Sequence, residues 1–315
     1  YEQLGLADVR YIVGRTMGSA EEAACKVGAR AVTQLSEVLS DPSVEIVDVT
    51  VPTPLHCDFA VAALKAGKHV IVEKPLALDL AAADAMIGAA AQAGKSLMVA
   101  HVLRFWGAYE RIAEVLKSGR LGAPRLARSY RLASPPNWAS WLADPQQTGG
   151  APVDLGIHDL DILNQLFGRA RSVDAWGRRG NAGGWSHYVA RIDYGPVTAT
   201  AEASMAMPSG FPFTAGLEVH CERGTVEHRF RAGGASFEEG GAQDSTFIHT
   251  AGGTSYQIET ESRDPFVSQL GYFLTSVAQG KEPRRITSAD ARLALATALA
   301  VNASLNSGRS FTLTN

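Results

Sequence analysis

The sequence predicts an α/β protein of two domains, a doubly wound parallel sheet followed by an α+β domain with an open, mostly antiparallel sheet. In the first hundred residues, short apolar strands alternate with helices, which is the pattern of parallel βαβ units. In the hundred residues after position 167, strand-like runs are instead separated by glycine and proline turns, which is typical of antiparallel sheets. A length of 315 residues fits two domains. We expect the boundary near residue 122, which gives domains 1–121 and 122–315.

Composition argues against several function classes. The hydrophobic fraction of 46% and the charged fraction of 19% are those of a soluble globular protein, and no apolar run reaches the length of a membrane span. A net charge of −3 argues against a nucleic-acid or membrane-surface role. Cys25, Cys57 and Cys221 are far apart and form no CxxC pair, so we interpret them as reduced packing residues and expect no metal site. We expect a cytoplasmic protein.

The first domain is predicted to alternate strands and helices. We expect strands at 7–13, 45–51, 69–72 and 97–100, with helices at 19–28 (Ser19 as N-cap), 55–66 and 78–93. A dinucleotide-binding sheet normally opens with a strand and a GxGxxG turn, whose backbone amides bind the pyrophosphate. Nothing before Ala7 supplies that turn. We therefore expect the first strand and its glycine-rich turn to be missing from this sequence; the alternative is a fold that never had them.

The second half of the chain follows a helix that runs from after Trp106 to about Lys117. An extended stretch and a loop occupy 123–150, and a helix follows at 152–167. We predict strands at 188–194, 197–203, 217–221 and 225–230, and two final helices at 264–279 and 288–307.

A short apolar strand ends abruptly at Glu73, Lys74 and Pro75. Ligands of open α/β sheets bind at the carboxyl ends of the strands, so Glu73 and Lys74 are candidate site residues. The proline fixes the exit direction of the chain, and a cis Lys74–Pro75 bond is possible. A solvated turn between strand and helix is the alternative interpretation.

The predicted helix at 152–167 carries a second set of candidate residues. Helical spacing places Asp154, His158, Asp161 and Gln165 on one polar stripe, opposite an apolar face. Asp154 and His158 are four residues apart, so the carboxylate can orient the imidazole. Gly156 is unfavourable inside a helix and indicates the close approach of a cofactor or a strand. A solvated face with a capping aspartate remains the alternative.

Three motifs together resemble the glucose–fructose oxidoreductase/inositol dehydrogenase/MocA (Gfo/Idh/MocA) family. They are Val-Pro-Thr-Pro-Leu-His at 51–56, Ala-Gly-Lys-His-Val-Ile-Val-Glu-Lys-Pro at 66–75 and Gly-Gly-Ala-Pro-Val-Asp-Leu-Gly-Ile-His-Asp-Leu-Asp at 149–161. The resemblance implies an N-terminal Rossmann domain and a C-terminal sheet that often pairs subunits into homodimers or homotetramers. It also implies a nicotinamide cofactor and a sugar, inositol or related polyol as substrate.

The resemblance assigns roles to individual residues. Lys74 would be the catalytic lysine, with Asp154 and His158 completing a triad that also contacts substrate. The segment 101–106 resembles one that borders nicotinamide and substrate, which adds Arg104 to the cofactor site and Trp106 to the substrate site. The remaining positions that would line the cofactor, beside Lys74 itself, are Pro52, Thr53, His56 and Glu73.

These residue types suit hydride transfer from a carbinol carbon to nicotinamide. His158 can accept the hydroxyl proton near neutral pH, Lys74 can stabilise the developing alkoxide, and Asp154 can hold the histidine tautomer. Trp106, Trp138 and Trp141 can offer an apolar wall to a sugar ring; the alternative is that these tryptophans are packing anchors. We therefore expect a dehydrogenase or reductase acting on CH–OH groups.

Gly14-Arg15-Thr16 follows the predicted strand that meets the adenosine ribose in a Rossmann sheet. An acidic residue there would bind the ribose 2′-hydroxyl and repel a 2′-phosphate, but the next acid is Glu21. Arg15 can bind a phosphate and Thr16 can donate a hydrogen bond, which favours NADP(H) over NAD(H). Arg15 can also stack on adenine, in which case both cofactors work.

Two other functions stay open. One is an enzyme of the same fold that uses nicotinamide transiently in glycoside cleavage. The other is a non-catalytic, nucleotide-sensing regulator, against which the joint presence of Lys74, Asp154 and His158 argues.

Overall fold

The computed structural model describes residues 1–136, 139–234 and 241–313. Contacts between Cα atoms divide the chain into two compact units, each made of two stretches. Unit 1 comprises Tyr1–Val102 and Arg263–Ser288, and unit 2 comprises Leu103–Ser262 and Ala289–Asn315. The predicted domain boundary near residue 122 stays a prediction.

The first stretch of unit 1 alternates parallel strands with helices. Its elements are β1 (Tyr11–Val13), α1 (Met17–Val27), β2 (Arg30–Val32), α2 (Leu35–Ser40), β3 (Ile46–Val49), α3 (His56–Lys65), β4 (His69–Val72), α4 (Leu80–Ala93) and β5 (Leu97–Val99). Strands β1 and β2 pair in parallel, and β3, β4 and β5 form a second parallel sheet in that order.

The elements between residues 103 and 262 belong to unit 2. They are α5 (Gly107–Lys117), β6 (Pro124–Leu132), α6 (Pro145–Thr148), α7 (Ala151–Asp154), α8 (Ile157–Phe167), β7 (Ser172–Arg179), β8 (Trp185–Asp193), β9 (Thr198–Ser204), β10 (Thr214–Cys221), β11 (Gly224–Arg231), β12 (Gln243–Thr250) and β13 (Ser255–Gln257). Helix α9 (Pro265–Ala278) returns to unit 1, and α10 (Ser288–Ser307) and β14 (Phe311–Thr312) complete the described chain.

Within the described residues, one large sheet forms the centre of unit 2. Its nine strands lie in the order β13-β12-β11-β10-β6-β9-β8-β7-β14. All neighbours pair antiparallel except β6 and β9, which are parallel. The predicted fold class, a parallel α/β sheet joined to an open and mostly antiparallel sheet, is therefore confirmed.

Buried and exposed side chains alternate along the strands, so one face of this sheet is buried. In β8, Tyr188, Ala190 and Ile192 are buried, whereas Val189 and Arg191 between them are exposed. Successive side chains of a strand point to opposite faces, so a single register places all three apolar side chains in the core.

Helix ends in unit 1 follow local capping chemistry. Asp79 caps α4 by accepting a hydrogen bond from the Ala82 N–H at 2.8 Å, and the helix ends at Gly94 with a left-handed φ of 61°. Helix α1 is capped by Thr16, whose hydroxyl accepts from the Ser19 N–H, so the predicted N-cap at Ser19 is wrong. Ser19 instead occupies the third helical position, where its hydroxyl faces the backbone N–H of Thr16 in a capping box.

No described helix is long and apolar enough to cross a membrane.

Candidate active site

Lys74 lies at the carboxyl end of β4, as predicted. Val70 and Val72 are fully buried, and the Glu73-Lys74-Pro75 segment leaves the strand through a cis Lys74–Pro75 peptide bond. Glu73 and Lys74 are half-buried, and a carboxylate oxygen of Glu73 accepts the Lys74 backbone N–H at 3.1 Å. Burial raises the pKa of Glu73, and the neighbouring Lys74 charge opposes that shift.

His56 connects the loops that follow β3 and β4. Its ring nitrogen Nδ1 lies 2.9 Å from the Pro75 carbonyl oxygen, and Nε2 lies 2.9 Å from that of Val51. The side chain is 1% exposed, and burial lowers the pKa of His56 although both carbonyls raise it. His56 therefore links the backbone at Val51 to the backbone at Pro75, the residue after Lys74, and its predicted contact with cofactor stays a prediction.

The other unit 1 candidates lie at strand ends too. Thr53 is buried at the start of a short 3₁₀ turn, Thr53–Leu55, which Pro52 precedes. Arg15 and Thr16 are exposed just after β1. They lie at the carboxyl end of that strand, as Lys74 does at the carboxyl end of β4. The first turn of α1 contains no acidic residue. Arg15 is thus an exposed arginine next to a helical turn that carries no carboxylate.

In unit 2, the predicted continuous helix at 152–167 is wrong. Asp154 is the last residue of α7 and His158 the second residue of α8, and a break at Leu155–Gly156 separates them. Both side chains are half-buried. The predicted polar stripe is also wrong in part, because Asp161 is buried whereas Gln165 is exposed.

A strand causes the close approach that Gly156 indicated. A Cβ atom built at Gly156 would overlap the hydroxyl oxygen of Tyr188 and would lie 2.8 Å from its Cε1 and Cζ atoms. Tyr188 belongs to β8 and is fully buried. Of the two predicted causes, cofactor or strand, the structure confirms the strand.

Arg104 forms a buried ion pair. Its Nε and Nη2 atoms donate to the two carboxylate oxygens of Asp161 at 2.8 Å each, and Nη1 lies 3.4 Å from Asp290. Burial alone would lower the pKa of Arg104, but these carboxylates raise it. The guanidinium thus holds α8, and its predicted cofactor contact stays a prediction.

Sequence reasoning missed a second buried ion pair on α8. Arg131 of β6 donates through Nε to Asp159 Oδ2 at 2.7 Å and through Nη2 to Oδ1 at 3.3 Å. The Tyr109 hydroxyl lies 3.4 Å from Nη2. Burial alone would lower the pKa of Arg131, but the Asp159 carboxylate raises it above its usual range. The available signal was the Asp159-Leu160-Asp161 sequence, in which two acids interrupt an apolar helix.

Of the predicted substrate tryptophans, Trp106 lies in an aromatic cluster. Its ring packs edge-on against those of Tyr109, His228 and Phe230, and its indole N–H donates to Asp244 at 3.3 Å. Trp138 lies outside the described residues. The role of Trp106 toward a sugar ring stays a prediction.

Among the residues that the structure describes, no group of three or more His, Cys, Asp or Glu side chains could hold a metal ion.

Two family models match the chain. One is described as an oxidoreductase family with an NAD-binding Rossmann fold and matches residues 2–101. The other is described as the GFO/IDH/MocA C-terminal domain and matches residues 109–227.

Curated relatives share part of the sequence. The 1,5-anhydro-D-fructose reductase of Ensifer adhaerens is 38% identical over 42% of this chain and 41% of its own length. The scyllo-inositol 2-dehydrogenase (NADP(+)) IolW of Bacillus subtilis (strain 168) is 30% identical over 58% of this chain and 52% of its own. These matches thus span about half or less of each relative. The scyllo-inositol 2-dehydrogenase (NAD(+)) of the same organism is 28% identical over 92% of this chain and 84% of its own.

Solved structures share the fold. The aldose–aldose oxidoreductase of Caulobacter crescentus, complexed with glycerol, has a TM-score of 0.84 at 22% identity and covers 96% of this chain and 91% of its own. GenD2 from gentamicin A biosynthesis, in complex with NAD, has a TM-score of 0.81 at 24% identity and covers 98% and 89%.

Proposed function

The chain belongs to the GFO/IDH/MocA oxidoreductase family, and we propose that it transfers a hydride between NADP(H) and a CH–OH group of a sugar, inositol or related polyol. One observation carries the proposal: Lys74 lies at the carboxyl end of a buried parallel strand, where ligands of such sheets bind. The relatives named as inositol dehydrogenases and as an anhydrofructose reductase support this substrate class.

We assign the cofactor to residues at the strand ends and to the segment after β5. Bound nicotinamide would supply the hydride acceptor or donor. Arg15 would bind a ribose 2′-phosphate. Thr16 would donate a hydrogen bond to the cofactor. Its hydroxyl now donates to Ser19 Oγ at 3.0 Å and would have to exchange that bond. The remaining cofactor residues of the proposal are Pro52, Thr53, His56, Glu73, Lys74 and Arg104.

Lys74, Asp154 and His158 are the proposed catalytic residues. His158 accepts the hydroxyl proton during oxidation, Lys74 stabilises the alkoxide, and Asp154 holds the imidazole tautomer. Trp106 and Trp138 contribute the substrate wall.

A panel of sugars and inositols, read by the absorbance of reduced nicotinamide, tests this function. Net formation or consumption of NADPH with a member of the panel supports it. Release of a free sugar from glycosides without net change in that absorbance would instead favour glycoside cleavage. Nucleotide binding without turnover on any panel member would favour a regulator.

We expect that replacing His158 with alanine removes the acidic limb of the kcat/KM profile for oxidation. A protonated imidazole cannot accept the substrate proton, so kcat/KM of the wild type falls as pH drops through the titration of this base. The measurement is kcat/KM across the acid range for the wild type, for His158→Ala and for His220→Ala, an exposed histidine on β10. An unchanged limb in His158→Ala would identify another base, with Lys74 first in line.

We expect Arg15→Ala to abolish a preference for NADP(H) over NAD(H). A charge-assisted contact to phosphate is worth about 1.5–3 kcal/mol, which corresponds to roughly a ten- to hundredfold preference. The ratio of kcat/KM for the two cofactors is compared in the wild type, in Arg15→Ala and in Arg120→Ala, another exposed arginine. Equal values in the wild type, or a preference that Arg15→Ala leaves intact, would remove Arg15 from this role.

We also propose that the chain forms a homodimer or homotetramer through the unit 2 sheet. On the face opposite Tyr188, Trp176 and Val189 are cross-strand partners that are 65% and 39% exposed. Arg191 and Asp174 lie beside them as an ion pair. An apolar centre with charged neighbours suits a self-complementary interface. A cytoplasmic location is also proposed, in keeping with three free cysteines.

A further inference from the structure

The break between α7 and α8 is a π-type turn. The Gly156 N–H donates to the Ala151 carbonyl, five residues back, at 2.7 Å, and the Leu155 N–H reaches the same oxygen at 3.2 Å. A regular α-helix would instead bond each N–H to the carbonyl four residues back. The turn between Ala151 and Gly156 therefore accommodates one extra residue, and such insertions recur at functional sites.

Strand β8 contacts both ends of α7. A Cβ atom at Gly150, just before the helix, would lie 2.9 Å from the Trp185 carbonyl oxygen. At the other end, the Tyr188 hydroxyl occupies the space of a side chain at Gly156. Only glycine at both positions lets the short helix that carries Asp154 lie this close to the strand.

The Tyr188 hydroxyl is a buried polar group beside Gly156. Within the described part of the chain it has no hydrogen-bond partner, although the side chain is fully buried. Burial raises the pKa of Tyr188. A buried, unsatisfied hydroxyl is destabilising, and phenylalanine would avoid that effect. The contribution of the oxygen is therefore the space that it fills beside Gly156.

We propose that Gly156 and Tyr188 are positioning residues that together hold the π-type turn and so set the angle between Asp154 and His158. The Gly156–Ala151 hydrogen bond spreads this turn over one extra residue, so a return to regular α-helical bonding would change the direction of Asp154 relative to His158. This inference rests on the proposed function only for its kinetic consequence. The geometry itself can be measured without any substrate.

The test compares Gly156→Ala, Tyr188→Phe and the double variant. We expect Gly156→Ala to shift the titration midpoint of the His158 imidazole resonances to lower pH, because a displaced Asp154 carboxylate no longer stabilises the imidazolium. Resonances are followed in protein with isotope-labelled histidine and assigned with His158→Gln. Where a substrate is known, kcat falls at least about tenfold while the cofactor KM stays near the wild-type value. Tyr188→Phe alone leaves the space of the hydroxyl empty, so it should shift the titration midpoint in the same direction but by less than Gly156→Ala does.

The double variant Gly156→Ala/Tyr188→Phe should recover part of the wild-type titration and folding, because phenylalanine lacks the nearest clashing atom but keeps the ring carbons that lie 2.8 Å from the new Cβ. Gly216→Ala is the matched control. A Cβ there would lie 2.5 Å from Cζ and Oη of Tyr130, so the variant creates the same kind of clash with a tyrosine that does not contact the α7–α8 turn. It should leave the His158 titration unchanged.

Two outcomes would overturn the proposal. One is a Gly156→Ala variant that titrates as the wild type does. The other is a double variant that stays as perturbed or as unfolded as Gly156→Ala, since removing the hydroxyl would then relieve nothing. A failure of the dehydrogenase assay with an intact His158 shift would contradict the proposed function and leave the positioning role standing.

Discussion

Replacing Lys74 with alanine is expected to lower kcat by about 10²–10⁴-fold while the protein still binds nucleotide. Lys74 lies at the carboxyl end of β4 and is only half-buried, so its ammonium group can meet a ligand there. Loss of that charge removes stabilisation of the alkoxide and leaves the strand and its neighbours in place. Steady-state rates and a fluorescence titration of bound NADPH measure the two effects separately.

Lys65→Ala is the matched control for this prediction. Lys65 is an exposed lysine at the end of α3, in the same unit, and its loss should leave kcat within about twofold, as is usual for surface substitutions. A folded Lys74→Ala variant that keeps most of its kcat would show that Lys74 does not act on the reacting group. Loss of nucleotide binding in that variant would move Lys74 from catalysis to cofactor binding.

Replacing Arg131 with methionine is expected to lower the free energy of unfolding by about 3–5 kcal/mol, because it leaves the Asp159 carboxylate buried without its partner. Both side chains of the pair are nearly inaccessible, with exposures of 5% and 2%. The double variant Arg131→Met/Asp159→Leu replaces both charges by apolar groups and should recover much of the loss. Urea unfolding of the two variants and the wild type measures these differences.

The exposed pair of Arg30 and Glu37 gives the comparison. Its nitrogen–oxygen distance is 3.2 Å, but its side chains are 66% and 45% exposed, so Arg30→Met should cost about 0–1 kcal/mol. If Arg131→Met unfolds at the same urea concentration as Arg30→Met, the buried pair does not stabilise α8. If the double variant is as unstable as the single one, the lost contribution is packing of the arginine stem.

Elements whose signals are local could be predicted from the sequence. The strand at 69–72 and the helix at 288–307 match β4 and α10 in both bounds. Their apolar runs and breakers lie within the segment itself, and no distant partner changes them. The strand-end position of Lys74 follows for the same reason.

The contacts of α8 could not be predicted from the sequence, because its partners are remote in sequence. Gly156 showed that something approaches the helix, but Tyr188 is 32 positions further on, and no local pattern pairs them. Asp161 looked like part of a polar stripe because a sequence shows a charge and not the Arg104 guanidinium that neutralises it in the core. The N-cap prediction for α1 was wrong for a different reason. Thr16 and Ser19 both suit an N-cap, and only the backbone conformation selects Thr16.

Neither unit is a continuous stretch of chain, and this affects how the protein folds as it is synthesised. Helix α9 belongs to unit 1 and buries Phe273 and Leu274, yet the 103–262 stretch of unit 2 is made before it. At about 5–20 residues per second, that stretch takes on the order of ten to thirty seconds to synthesise. Leu4 packs beside Gly271 in the finished unit, but Gly271 is synthesised only after that interval. We therefore expect the surface that α9 covers, including Leu4, to stay exposed until α9 leaves the ribosome.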